Sequence, residues 1–259
     1  MNKIELAKEV VKIARRAGQA VLEIYENARD FEIERKADNS PLTLADKAAN
    51  EIICTSLEKL PVQFPIVSEE NKEIPYATRK TFEYHWLVDP LDGTKEFLKR
   101  NGEFTVNIAL VHRQRVALGV VYTPVCDEMF WGVKNEGAFH YIGETEKKLL
   151  AADFQLSDPH LKIVCSRSHL NRETQDFIAQ FRQPNLVSKG SSLKFLILAK
   201  AEAHLYPRLA PTMEWDTAAA HIILEEAGGK VIDEQTKQPL VYNKENLKNP
   251  HFVAYGKVN

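Results

Sequence analysis

His85-Trp86-Leu87-Val88-Asp89-Pro90-Leu91-Asp92-Gly93-Thr94 carries a short apolar run straight into two carboxylates three residues apart, with a proline between them and a glycine behind. The apolar run predicts a buried strand. The spacing of the acids suits a folded loop, because Pro90 fixes φ and gives up its N–H while Gly93 lets the chain turn sharply. The glycine also leaves backbone amides unshielded at the expected start of a helix, where an anion binds well. Read alone, the turn-forming pairs Asp-Pro and Asp-Gly explain the hexapeptide from Asp89 to Thr94 as well as a ligand site does.

Upstream, Phe64-Pro65-Ile66-Val67-Ser68 is a second short apolar run, followed by Glu69-Glu70, so two expected strands end in acids. Open sheets place ligand sites at neighbouring strand ends, and there Glu69 could join the two aspartates. Taken alone, Glu69-Glu70 is an ordinary solvated acidic loop. Hard oxygen ligands beside a phosphate-binding turn suit Mg²⁺. Downstream, Glu214-Trp215-Asp216-Thr217 precedes an expected helix running to Ala227 and closed by Gly228-Gly229. Asp216 is then either an N-cap or a carboxylate aimed from a helix terminus. Asp46 carries the same ambiguity: Thr43 is predicted to cap a helix running to about Leu60, with Asp46 as its capping-box partner.

From Ile4 to about Tyr25 the residues Ile4, Ala7, Val11, Ala14, Val21 and Ile24 recur at helical spacing. The β-rich runs 105–111 and 116–122, with pieces near 129–131 and 138–141, predict an antiparallel sheet. The polar stretch 143–158 is the expected boundary between an N-terminal α+β lobe, 1–147, and a C-terminal α/β lobe, 148–259, because strand and helix alternate beyond it. In that second lobe 162–165, 203–206 and 230–232 predict strands, and 172–181 and 192–203 predict helices.

The chain has 259 residues, 44% hydrophobic and 27% charged, enough to bury a substantial core. Its 34 lysines and arginines nearly balance 36 aspartates and glutamates, so no global field draws in a nucleic acid polymer or an anionic membrane, and any phosphate recognition must be local. The N-terminus alternates charged and apolar residues and lacks the apolar run of a signal peptide or spanning helix, which predicts a cytoplasmic protein. Its first helix reads as a core-packing one, with peripheral attachment to the inner membrane face left open. Cys54, Cys126 and Cys165 are odd in number, far apart and outside any C-x-x-C pattern, which argues against a disulfide framework or a thiolate metal site and predicts buried free thiols.

Taken together, these segments resemble the inositol-monophosphatase superfamily, whose two signatures look like the stretch from Trp86 to Thr94 and Trp215-Asp216-Thr217-Ala218-Ala219. Within it, the stretches 40–43, 87–111, 166–169, 190–195 and 205–208 resemble the CysQ-like bisphosphate nucleotidases. The resemblance spans nearly the whole chain. It implies an α/β fold, a layered αβαβα sandwich in one two-lobed unit with the acidic site between the lobes. It implies that Glu69, Asp89 and the Leu91 carbonyl hold one Mg²⁺ and that Asp89 bridges to a second, held also by Asp92 and Asp216. A third, weaker ion and inhibition by Li⁺ belong to the same implication. Thr94 and Asp46 become the pair that activates water, with Glu70 assisting through a further water, and the Gly93 and Thr94 amides hold the scissile phosphate.

The implied reaction releases the 3'-phosphate of 3'-phosphoadenosine 5'-phosphate to give AMP, with the 5'-phosphosulfate as a further substrate, in sulfur assimilation. Ser191 at a predicted helix start, Lys194 on its first turn and Arg208 would clamp the 5'-phosphate, His169 would sit near the adenine, and Asp216 would touch substrate as well as metal. Singly, these residues also read as a serine cap, a solvated lysine, a surface arginine and a loop histidine. Phosphatases of inositol phosphate or fructose 1,6-bisphosphate are the neighbouring alternatives. A non-catalytic nucleotide or metal sensor is the alternative of another class; it would be expected to lack a ligand, and none of Asp46, Glu69, Asp89, Asp92, Thr94 and Asp216 is lacking. Monomer and homodimer are both open.

Overall fold

The first helix, α1 (Lys3–Asn27), forms because Leu6, Ala7, Val10, Ile13, Ala14, Ala17 and Val21 make one apolar stripe, and all of them are buried. This computed structural model describes residues 2–27, 41–143, 145–166 and 171–259. Helix α2 (Pro41–Leu57) packs beside α1. It starts two residues before the expected cap, because a proline at the first helical position has its φ preset and needs no N–H partner. Thr43 and Asp46 therefore lie inside the helix, and Asp46 is not a capping-box acid.

Next come β1 (Ile66–Ser68), α3 (Tyr76–Arg79), β2 (Tyr84–Asp92), α4 (Thr94–Leu98), β3 (Thr105–His112), β4 (Arg115–Thr123), β5 (Glu128–Val133), β6 (Gly137–Ile142) and β7 (Thr145–Lys148). The seven strands form one sheet in chain order, antiparallel throughout except that β1 runs parallel to β2. Trp86, Val88, Ile108, Leu110 and Val120 face α1 and α2, whereas Leu87, Ala109, Val111 and Val121 face the opposite layer. Both faces are covered, so the central strands read as nearly continuous apolar runs.

The remaining elements are β8 (Asp153–Phe154), β9 (Lys162–Ser166), α5 (Arg172–Ile178), β10 (Asn185–Lys189), α6 (Leu193–Ala199), β11 (Leu205–Arg208), α7 (Glu214–Glu226), β12 (Lys230–Asp233), β13 (Phe252–Tyr255) and β14 (Lys257–Val258). The second sheet has the order β10-β9-β11-β13-β12, with β9 parallel to β10 and β11 and β13 antiparallel to β11 and β12. Helices α6 and α7 lie between the sheets, sharing a core with Val111, Phe130, Tyr206 and Phe252. A Cβ on Gly119 of β4 would come within 2.8 Å of the Ala219 Cα, so this glycine sets how closely α7 approaches the first sheet. Ile178 of α5 packs on Ile163 and Leu205 at the far side. The layers are helix, sheet, helix, sheet, helix, as the resemblance implied.

Several expectations shift. Helix α6 stops at Ala199 rather than Ala203, where Ala201 takes a positive φ of 60°, and α5 stops at Ile178. Strands β10 and β13 escaped the sequence reading, since β10 is short with a largely exposed face and β13 lies in a polar surrounding. Of the three free cysteines, Cys165 is buried and Cys54 partly so, but Cys126 is exposed in the turn after β4, against the expectation of buried thiols. Among the described residues no helix is long and apolar enough to cross a membrane.

Candidate active site

Strand β1 pairs in parallel with β2 so that Ser68 lies beside Val88, and the Glu69 N–H donates to the Val88 carbonyl at 3.1 Å. Glu69 thus arrives next to Asp89. The Asp89 segment is not the folded loop expected from its turn formers: β2 continues through Pro90 to Asp92. Asp89 pairs with Asn107 and Asp92 with Thr105, three steps on one strand against two on its neighbour, which is a β-bulge. Pro90 is tolerated there because a bulge releases it from the ladder. The extra residue also corrects parity: acids at i and i+3 of a regular strand point to opposite faces, whereas opposite Thr105 and Asn107 they share one. Gly93 follows with φ of 100°, and a Cβ there would press on the Glu103 carbonyl at 3.0 Å, so the turn into α4 needs glycine. Thr94 then opens α4 and lines the cleft.

Asp216 comes from α7, which begins at Glu214 rather than Thr217. It is therefore not the N-cap; it sits within the first turn, and its carboxylate accepts the Met213 N–H at 2.9 Å. Carboxylate oxygens of Glu69, Asp89 and Asp216 lie within 4.8 Å of one another. Burial, followed by Asp92, Glu69 and Asp216, pushes Asp89 well above the usual carboxylate range, with only the Leu91 N–H, at 3.1 Å, opposing. Burial and then Asp92 raise Asp216 to about 7. Glu69 keeps an exposed edge, yet burial of its carboxyl in the cleft, then Asp92 and Glu70, raise it too. Like charges are packed here at a cost that a bound cation would remove. The donors are hard carboxylate oxygens with no thiolate or imidazole among them, so the residues present fit Mg²⁺.

The cleft, of about 260 Å³, is lined by Glu69, Asp89, Leu91, Asp92, Gly93, Thr94 and Asp216 on one side and by Ser191, Lys194, Tyr206 and Arg208 on the other. Lys194 is buried, donates to the Ser191 carbonyl at 2.6 Å and lies over the Tyr206 ring. Burial lowers its pKa to about 8, against the pull of Asp92. Arg208 donates through one guanidinium nitrogen to the Pro211 carbonyl at 2.9 Å, while its buried Nε has no partner among the described residues. The Ser191 hydroxyl, expected to face substrate, instead donates to Asp92 at 2.6 Å. Its backbone takes a positive φ of 47°. Asp46 and Glu70 do not line this cleft. Asp46 is held up to about 7 by burial and then by the charges of Glu70 and Glu69. His169 lies outside the described residues.

Sequence reasoning passed over Thr105, Asn107 and Ser192 as site residues. Thr105 and Asn107 are buried opposite the two acids on the neighbouring strand, and Ser192 donates to the Asp216 carbonyl at 2.9 Å. Polar residues at i and i+2 in an otherwise apolar strand were the available signal, because they mark one face that must find polar partners.

The family model described as the inositol monophosphatase family matches residues 2–255. The 3'(2'),5'-bisphosphate nucleotidase CysQ of Salmonella typhimurium is 42% identical over 247 residues, 95% of this chain and 98% of that one. The CysQ of Escherichia coli O157:H7 is 43% identical, covering 94% and 97%. The crystal structure of CysQ from Bacteroides thetaiotaomicron superposes with a TM-score of 0.88 at 43% identity, covering 98% of this chain and 97% of that one. With a family-model match over residues 2–255 and a superposition over nearly the whole chain, the chain belongs to the inositol monophosphatase family.

Proposed function

We propose that this chain is a Mg²⁺-dependent 3'(2'),5'-bisphosphate nucleotidase that converts 3'-phosphoadenosine 5'-phosphate to AMP and phosphate, accepts the 5'-phosphosulfate as well, and works in the cytoplasm as a monomer or homodimer. The observation that carries the reading is a single cleft in which four acids, Glu69, Asp89, Asp92 and Asp216, face the cations Lys194 and Arg208. One wall suits metal ions and the other an anion, so a nucleotide with two phosphates can span both. The CysQ relatives, covered almost end to end, carry this activity in their names.

In this reading Glu69, Asp89 and the Leu91 carbonyl would hold one Mg²⁺ and Asp89, Asp92 and Asp216 a second, and a third ion and sensitivity to Li⁺ would accompany them. Bound there, Mg²⁺ supplies positive charge to the phosphoryl oxygens and lowers the pKa of water. In the same reading the Thr94 hydroxyl would pass a proton toward Asp46, with Glu70 assisting; α2, which carries Asp46, packs beside α4. The Gly93 and Thr94 amides orient the scissile phosphate; Lys194, Arg208 and the Ser191 backbone hold the second one. Residues 1–147 then supply most metal ligands, and 148–259 supply Asp216 and the nucleotide side.

A phosphate-release panel tests the assignment: 3'-phosphoadenosine 5'-phosphate, its phosphosulfate, inositol 1-phosphate and fructose 1,6-bisphosphate, each with Mg²⁺ and with EDTA. The nucleotide is expected to turn over fastest and only with Mg²⁺. A preference for inositol phosphate, or nucleotide binding without phosphate release, would overturn it.

A further inference from the structure

Thr105 and Asn107 interrupt an apolar strand, and both side chains are buried in the middle of the molecule. Buried amides are kept only with partners. Asn107 Nδ2 donates to Ser192 Oγ at 3.0 Å and reaches Asp92 Oδ2 at 3.4 Å. Ser192 Oγ donates onward to the Asp216 carbonyl at 2.9 Å. Thr105 Oγ1 lies 3.0 Å from Asn107 Oδ1 and 2.7 Å from Ser191 Oγ, so its single proton serves the amide and the serine that holds Asp92, while the NH₂ edge of Asn107 meets the acid and Ser192. The strand that ends in Asp92 and the helix turn that carries Asp216 are thereby linked through two neutral side chains, Asn107 and Ser192.

We propose that Asn107 is a positioning residue for the metal site, holding Asp92 and Asp216 at a set separation before any cation arrives. Two carboxylates on different elements repel each other and would drift apart if only solvent lay between them. A lysine or arginine at 107 could hold them equally well, but it would neutralise the charge that a metal must find. An amide donates in both directions and brings no charge. The bonded hydroxyls of Thr105 and Ser192 are parts of the same device, since partners beyond the ligands orient them.

The inference rests on Asp92 and Asp216 being metal ligands, so its test reads metal binding without substrate. Calorimetric Mg²⁺ titrations of the full chain would compare wild type, Asn107→Leu, Ser192→Ala and the double variant, with circular dichroism in EDTA to verify folding. Asn107→Leu should weaken Mg²⁺ binding about 10–100-fold and Ser192→Ala should weaken it in the same direction. The double variant should bind no more weakly than Asn107→Leu alone, because both changes break one bridge. Folded Asn107→Leu that binds Mg²⁺ like wild type, or losses that simply add, would overturn the proposal while leaving the metal site intact. If Asn107→Leu does not fold, Ser192→Ala decides: weaker binding supports the bridge, and wild-type affinity overturns it. A wild type that binds no Mg²⁺ sinks the metal reading and this inference with it.

Discussion

Glu69 and Val88 are joined by a backbone hydrogen bond of 3.1 Å, the last rung of the parallel β1–β2 ladder. That rung brings a glutamate from one strand end against Asp89 of the next residue on the other. Nearby, the bulge between Asp89 and Asp92 turns both aspartates to the same face. The cluster is therefore a product of strand register, and it is electrostatically uncomfortable without a cation.

Replacement of Asp89 by asparagine removes charge and keeps shape. Turnover is expected to fall at least about 100-fold with loss of Mg²⁺ binding. Because burial and three neighbouring acids push Asp89 up in the folded state, the same variant should be more stable than wild type in EDTA at pH 7. The melting temperature should rise by about 2–4 °C per kcal/mol gained. Normal activity would refute the ligand role.

Asp216, held up to about 7, binds a proton in the folded state that an ordinary carboxylate at 3.8 has released in the unfolded one. Between those values the folded state carries more protons, so stability in EDTA falls as pH rises from about 4 to 7. Asp46 acts in the same direction over the same window. Saturating Mg²⁺ should flatten that slope and release protons on binding. Melting curves against pH, with and without Mg²⁺, give the comparison; an EDTA slope of opposite sign would contradict the burial of these acids.

Gly93→Ala should cost about 1–3 kcal/mol, from a φ of 100° and the 3.0 Å approach to the Glu103 carbonyl. Since Thr94 follows directly, kcat should fall together with stability. Urea denaturation and turnover of one preparation check both; an unchanged kcat would separate the turn from the chemistry.

Lys194 carries its charge below about pH 8 and loses it above. KM for the bisphosphate nucleotide should therefore rise above that pH. Lys194→Met should raise it below that pH by at least about tenfold, as loss of a charged hydrogen bond of about 1.5–3 kcal/mol implies, with the difference from wild type shrinking above it. Lys194→Arg should remove the alkaline rise. Initial rates across pH 6–10 distinguish these outcomes from a lysine that merely packs on Tyr206.

Much was legible in the chain: the amphipathic first helix, the hairpins of the first sheet, the alternating elements of the second half, and Glu69, Asp89, Asp92 and Asp216 of the cleft. Those features repeat at the period of a helix or strand or stand at strand and helix ends, so local order reveals them. Other features depended on what lies opposite. Asp89–Asp92 contains turn formers yet stays in the sheet, because pairing with Thr105 and Asn107 outweighs local turn preference. Ser191 reads as a phosphate contact but spends its hydroxyl on Asp92. Asn107 stands fifteen residues from Asp92 and 85 from Ser192 along the chain, distances at which spacing carries no signal. The sequence by itself determined which residue types were available and at which element ends they stand. Only the tertiary structure decided that a one-residue bulge turns two aspartates to a common face and that a neutral amide ties Asp92, through Ser192, to a helix from the far half of the chain, because both are set by register and packing between elements distant in sequence.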